Sequence, residues 1–207
     1  MQYHYRPYRA EDLTACAALV PQVWPFEREL VDPLRPASIY ENYILDCAAR
    51  SDYLEVVADE NDSACGLLFA GPFRSGEREW KRLEEVAAWR KEGLDRGDFG
   101  ERGPVEGFIA CMEELDRLGA EVAEEFEAVV YLFLLGEELR GRGFGRELMD
   151  RFAGACRRRG MRSICLWTTD DCTWQFYERY GFRLIRRFCF PEAEGGAPNA
   201  MTYGFDL

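Results

Sequence analysis

Hydrophobic and polar positions alternate along this chain in three distinguishable ways, each predicting a different element. Residues 128–135 (AVVYLFLL) are a nearly unbroken apolar run rich in Val, Leu, Tyr and Phe. That composition belongs to a strand buried on both faces, hence to the middle of a sheet. From Arg146 the apolar residues are spaced: Leu148, Met149, Phe152, Ala155 and Cys156 recur at helical intervals. Residues 163–169 (SICLWTT) read as another strand, followed by a helix that ends in the YGF of residues 180–182. Farther on, RLIRRFCF (183–190) and AMTYGFDL (200–207) read as two antiparallel closing strands, separated by PEAEGGAPN, whose Gly and Pro end any regular element. Upstream, Trp80, Leu83, Val86 and Ala87 repeat at helical spacing, as do Val105, Phe108, Ile109, Met112 and Leu115. Two amphipathic helices are predicted there, separated by an irregular loop, GLDRGDFGERGP, with Pro104 placed for a helix start.

Between the apolar run and the spaced helix lies RGRGFG (140–145), so a glycine turn opens the helix. Glycine lets backbone approach a ligand closely, and the unpaired N–H groups at the positive end of a helix dipole suit an anion such as phosphate. Two nucleotide signatures fail. The dinucleotide fingerprint GxGxxG has Arg146 where its last glycine belongs, and GxxxxGK followed by Ser or Thr occurs nowhere. Glycines alone describe an ordinary tight turn; the order of strand, turn, helix and strand is what carries weight.

Arg140, Gly143 and Gly145 do meet [Q/R]xxGx[G/A], which resembles the pyrophosphate loop of the GNAT family of N-acetyltransferases. DDCTWQFYERYGF (170–182) is similar to that family's NxxAxxxYxxxGF helix, with Tyr177 at the family's tyrosine, Asp170 at its usual Asn and Thr173 at its usual Ala. YRPYRAEDLTACAALV (5–20) looks like the family's first strand and helix, and residues 53–73 like its hairpin, turned at DENDS. The resemblance implies an α/β (α+β) fold over residues 1–207: a mixed, mainly antiparallel central sheet flanked by helices. It departs from the family outline at about residues 74–126, a helical insertion between the third and fourth strands. A substrate lid, an extra helical layer over one sheet face, or a homodimer contact are all open roles for it.

The same resemblance implies acetyl-CoA as cosubstrate and a primary amine as acceptor, a small molecule or a protein amino group. Arg140, Gly141, Arg142, Gly143, Phe144, Gly145 and Arg146 would surround the pyrophosphate, with Asp170 at the family's asparagine. Backbone N–H groups near Leu134 and Leu135 would pair with the pantetheine arm and face the oxyanion, and Tyr177 would act as general acid toward the CoA sulfur. An amine of pKa about 10.4 costs roughly 4–5 kcal/mol to deprotonate at pH 7, so a base is expected. Glu127, Glu137 and Glu138 are the carboxylates nearest in sequence to the apolar strand, with Glu127 and Glu138 kept as catalytic candidates. Residues 21–45 and 74–126 are expected to build the acceptor pocket, where Trp24, Phe26 and Tyr40 either line it or pack in the core. A non-catalytic acyl-CoA sensor stays open as the alternative.

Composition narrows the picture further. At 207 residues, 47% hydrophobic and 14% aromatic, the chain can bury one sizeable core and is no disordered tract. No apolar stretch approaches the roughly 20 residues that span a bilayer, and MQYHYRPYRAEDL lacks the order of a signal peptide, so a cytoplasmic protein without a membrane partner is expected. Eight cysteines form no CxxC pair and His4 is the sole histidine, which leaves neither a zinc site nor a hydrolase triad, and no metal is expected. Net charge is −12, from 38 acidic and 26 basic residues, disfavouring nucleic acid and attracting cations. The carboxylates concentrate in the insertion, at Glu84, Glu85, Glu113, Glu114, Glu121, Glu124 and Glu125, whereas Arg140, Arg142 and Arg146 ring the proposed phosphate turn. An acidic helix surface serves solubility as readily as amine steering.

Overall fold

In the computed structural model, which describes residues 2–73, 76–190 and 199–207, seven strands form one sheet: β1 (His4–Pro7), β2 (Tyr53–Ala58), β3 (Ala64–Pro72), β4 (Ala128–Leu135), β5 (Ser163–Thr169), β6 (Arg183–Phe188) and β7 (Ala200–Asp206). Their spatial order is β1-β2-β3-β4-β5-β7-β6. Every neighbouring pair is antiparallel except β4 with β5. The apolar run is thus the central strand, and the hairpin turns at DENDS as its sequence suggested. The loop PEAEGGAPN lies, apart from its Asn, outside the described residues.

Six helices cover the sheet: α1 (Leu13–Ala17), α2 (Ala37–Arg50), α3 (Glu77–Arg96), α4 (Arg102–Ala120), α5 (Phe144–Arg158) and α6 (Gln175–Tyr180). Strand alternation sorts the core into two layers. Val56, Leu67, Phe69, Leu132 and Leu134 face α1, α2 and α4, burying Ile39, Ile44, Phe99 and Val105. Val57, Leu68, Ala70, Val130, Ile164 and Leu166 face α5 and α6, burying Leu148, Met149, Phe152 and Cys156. No helix among the described residues is long and apolar enough to cross a membrane. Among them too, no disulfide forms, and Cys16, Cys47, Cys156 and Cys165 are buried as small apolar groups.

The insertion departs from its predicted outline in detail. Helix α3 continues through Gly93 to Arg96 and stops at Gly97, whose φ of +79° is the left-handed conformation that ends helices. Helix α4 starts at Arg102, so Gly103 and Pro104 lie in its first turn, where proline's missing N–H is harmless. Position 93 takes glycine within the helix because a Cβ there would sit 2.5 Å from Cε2 of Phe99, a fully buried ring. Trp80, counted on the apolar stripe of α3, is 65% exposed, and Val86 takes the inward position. Helix α6 is shorter than its sequence motif, since residues 170–174 form turns held by Cys172 N–H to Thr169 O and Trp174 N–H to Cys172 O.

Gly93→Ala tests this packing. Helix propensity alone favours alanine by about 1 kcal/mol, whereas overpacking against Phe99 costs about 1–3 kcal/mol. The clash is expected to win, lowering the urea midpoint; a raised midpoint would show that Phe99 can move aside.

Candidate functional site

Strands β4 and β5 pair only at Ala128 with Ile164 and Val129 with Cys165, then part. A bulge helps them separate: Phe69 faces Leu132 but Ala70 faces Val130, leaving Tyr131 as the extra residue on β4. From Tyr131 to Leu135 the β5 side of β4 therefore carries no strand partner, while its other side stays paired with β3. The result is a fork, closed at Val129 and open toward Leu135.

At the open end, β4 passes through Gly136 and a 3-10 turn (Glu137–Leu139) into the glycine loop. Gly136 N–H donates to Cys65 O at 2.8 Å, and Arg140 Nε donates to Leu135 O at 3.1 Å, tying the loop to the strand. Gly141 and Gly143 have φ of +70° and +90°, and a Cβ on either would meet nothing within 4 Å. Gly143 is the N-cap of α5, so the first N–H groups of that helix open onto the bare backbone of the loop. Arg142 lies over the rings of Tyr3 (5.3 Å) and Phe144 (5.5 Å), and Arg146 over Tyr180 (5.2 Å). Three guanidinium groups thus ring a backbone cradle, an arrangement suited to a polyphosphate.

Tyr177 sits on α6 against the rings of Phe133, Phe176, Phe182 and Tyr203, on the α5 side of the sheet. Its hydroxyl takes part in no hydrogen bond among the described residues. Burial, with Cys172 adding to it, holds its pKa well above the ordinary tyrosine value. Leu134, Leu135, the loop and Tyr177 are therefore gathered along one fork. Asp170 is exposed at the end of β5, its N–H donating to Asn199 O at 2.9 Å.

The candidate bases fare differently. Glu127 precedes β4 beside the closed end of the fork, where its carboxylate accepts from Arg162 N–H (2.5 Å) and from the Arg162 guanidinium (3.1 Å). Those bonds hold its pKa below the usual value, the reverse of what a base at neutral pH needs. Glu138 is exposed in the turn beyond Leu135, about 20 Å along the strand from the closed end at ~3.3 Å per residue. Trp24, Phe26 and Tyr40 are core rather than pocket: Phe26 stacks on both Trp24 and Tyr40 and touches Phe108 at 4.9 Å between centroids.

A carboxylate absent from the sequence-based candidates occupies the closed end instead. Asp116 of α4 accepts a 2.9 Å hydrogen bond from Trp167 Nε1 of β5. It lines a cavity of about 310 Å³ with Tyr131, Trp167, Phe73, Glu79 and Glu113, on the sheet face opposite α5. Burial pushes Asp116 up to about 6, against the pull of Arg50 and of the Trp167 bond. Its signal in the sequence is an acid set within the apolar stripe 105, 109, 112, 116.

A family model described as an acetyltransferase (GNAT) domain matches residues 100–184, from the approach to α4 to the start of β6. That segment, somewhat under half of the chain, is similar to a GNAT acetyltransferase domain. Its fold is shared by solved structures across essentially the full length of both chains. SsHAT is 20% identical with a TM-score of 0.68, covering 100% of this chain and 98% of that one. An agmatine N-acetyltransferase variant is 17% identical (TM-score 0.62; 100% of each chain covered). A polyamine N-acetyltransferase of Drosophila melanogaster, which forms N-acetylagmatine, is 16% identical (0.62; 100% of each). No curated protein sequence matches significantly. The matched segment includes the fork, the glycine loop, Tyr177 and also Asp116 on the insertion's second helix.

Gly119 of α4 lets that helix lie on β5: a Cβ there would be 2.3 Å from Trp167 Cγ. Gly119→Ala is expected to displace Trp167 and lose about 1–3 kcal/mol. The check is chemical denaturation alongside the near-ultraviolet circular dichroism of the aromatic residues. An unchanged spectrum and midpoint would mean that Trp167 does not pack as described.

Proposed function

We propose that residues 1–207 act as one unit that transfers an acetyl group from acetyl-CoA to a primary amine by direct attack. The observation that carries this is the fork that opens toward the glycine loop. A ligand with its pyrophosphate on the N–H groups of α5 can lay an amide-bearing arm along the unpaired edge of β4, in place of the missing strand. Arg140, Arg142 and Arg146 offset its negative charge, and Leu134 and Leu135 offer backbone partners for the arm. The open space over Gly141 and Gly143 fits that approach; side chains there would fill it.

Tyr177 takes the acid role. Its raised pKa keeps the hydroxyl protonated throughout the working pH range, so it can donate to the sulfur as the carbon–sulfur bond breaks. Backbone N–H groups of β4 near the thioester would stabilise the oxyanion. A sensor of acyl-CoA would need the loop and the fork, but not a cavity at the fork's closed end, and that cavity favours the enzyme. A cytoplasmic setting suits eight cysteines among which no disulfide forms.

The test is mass-spectrometric detection of acetylated product from acetyl-CoA and a panel of amines. Tyr177→Phe is expected to lower turnover about 10²-fold or more with acetyl-CoA affinity within about twofold; an unaltered rate across the pH range removes Tyr177 from the chemical step. Gly143→Val places a β-branched residue at φ +90°, a region such side chains avoid, and projects it into the cradle. Acetyl-CoA affinity is expected to fall at least tenfold by calorimetry, and unchanged affinity would refute the loop assignment. Binding without product from any amine would favour the sensor.

A further inference from the structure

The cavity beside Asp116 has a position, a size and a charge pattern that together say what enters it. Its floor is Tyr131 and Trp167, each two residues past the last pair that joins β4 to β5, Val129 with Cys165. It therefore meets the fork at its closed end, where the reactive end of an arm laid along β4 would arrive. Its other walls come from α2, α3 and α4, on the sheet face opposite α5, so a second molecule can sit there without crossing the first. At about 310 Å³ it stands at the small end of ligand pockets, roughly 300–1,000 Å³, a fit for a small molecule rather than for an extended polypeptide.

Charge and aromatic surface specify the guest. Glu79, Glu113 and Asp116 contribute carboxylates to the lining. Two arginines also reach it, Arg50, which pairs with Asp46 at 2.8 Å and also acts on Asp116, and Arg117, which pairs with Glu114 at 2.7 Å; of the carboxylates, Glu113 lies 3.5 Å from Arg90. The rings of Tyr131 and Trp167 meet edge to face, centroids 6.3 Å apart, and aromatic walls favour a cation on an apolar stem. Asp116 is oriented by Trp167 through Oδ1, and its other oxygen makes no hydrogen bond among the described residues.

Resting on the acetyl-transfer function proposed above, we infer that this cavity is the acceptor site, that it takes small primary amines that are cationic in solution, and that Asp116 receives the amine's proton. The proton balance is complete. The ammonium sheds one proton to solvent to reach the neutral amine. As its lone pair attacks the thioester carbon, the second N–H proton passes to Asp116; the carbon–sulfur bond breaks and the sulfur takes the proton of Tyr177. Asp116 returns its proton to solvent and Tyr177 is reprotonated, so one amine and one acetyl-CoA give one amide, one thiol and one proton from the original ammonium. Burial, which lifts Asp116 to about 6, makes it a stronger base than an exposed carboxylate while leaving it ionised at pH 7.

The test compares wild type, Asp116→Asn and Trp167→Phe with 1-butylamine, 2-phenylethylamine, 1,4-diaminobutane and a hexapeptide with a free N-terminus. Wild type is expected to acetylate the small amines and not the peptide. Asp116→Asn should lose about 10²-fold or more in kcat with acetyl-CoA affinity within about twofold. The acid limb of the wild-type kcat profile, near pH 6, should vanish in Asp116→Asn and move to higher pH in Trp167→Phe, which lacks the donor that favours the carboxylate. Other groups face Asp116 and set where that limb falls: Arg50, Asp46, Tyr43 and Cys47 from α2, and Glu113 from its own helix. Glu79 of α3 and Tyr131 of β4 share the cavity.

Stability gives a readout independent of turnover. A carboxyl whose folded pKa lies above its ordinary 3.8 opposes folding once ionised. Wild type should therefore match Asp116→Asn below about pH 4, fall behind it between about pH 4 and 6, and stay behind above that. If wild type neither binds acetyl-CoA nor acetylates anything, the acetyl-transfer function itself fails. If wild type acetylates amines while Asp116→Asn keeps the rate, the acid limb and the same pH-stability curve, only the role of Asp116 fails. Preference for the peptide over all three amines overturns the substrate class.

Discussion

The short parallel contact between β4 and β5 is the constraint on which the rest depends. Two residue pairs join these strands, while β4 keeps seven pairs with β3 and β5 keeps seven with β7. Each half of the sheet is thus secured by its outer neighbours, and the seam between them can open without loss of order. Opening leaves backbone N–H and C=O groups of β4 with no strand partner. Such groups need partners, and an extended ligand with amides of its own could supply them. The bulge at Tyr131 shapes the fork by bending β4 at the point where the paired region ends.

Chemistry divides across this seam by face. Arginines gather around the α5 N-terminus, held in place by aromatic rings and by the carbonyls of Leu135 and Glu138. Carboxylates gather on α3 and α4 around the cavity on the other face. A chain of net charge −12 can therefore present a cationic cradle to a phosphate ligand and an anionic pocket to an amine. The insertion both packs on the sheet and lines the cavity. Phe99 and Val105, fully buried, fix it as a layer over the sheet, and the same helix that carries Val105 places Asp116 beside Trp167. Burying a carboxylate that partly opposes folding is a cost that packing alone would not require.

Much of this was legible in the sequence because it rests on local rules. The β4 run is apolar without interruption, as burial on both faces demands, and Gly141 and Gly143 stand where positive φ is used. The hairpin around DENDS and the closing strands follow from alternation and turn residues. Misplaced details have a common origin. Gly93 looked like a helix breaker but is the space Phe99 needs; Trp80 keeps the helical period of α3 yet faces solvent; Phe26 and Tyr40, open to either pocket or core, stack on each other in the core. At Gly93 and at the Phe26–Tyr40 stack, packing between segments decided what the local pattern left open.

The buried carboxylate illustrates the limit most clearly. Glu127 and Glu138 flank β4 in sequence, but an extended strand separates its ends by some 25 Å at ~3.3 Å per residue, so nearness along the chain placed them at opposite ends of the fork. Asp116 lies 51 positions from its partner Trp167, and their contact exists only because Gly119 lets α4 rest on β5. The sequence by itself determined the central strand, the glycine turn and the helix it opens, since periodicity and φ preference act within a few residues. Tertiary structure alone decided where β4 and β5 part and which carboxylate is buried at that point, because both depend on packing between segments that no local pattern relates.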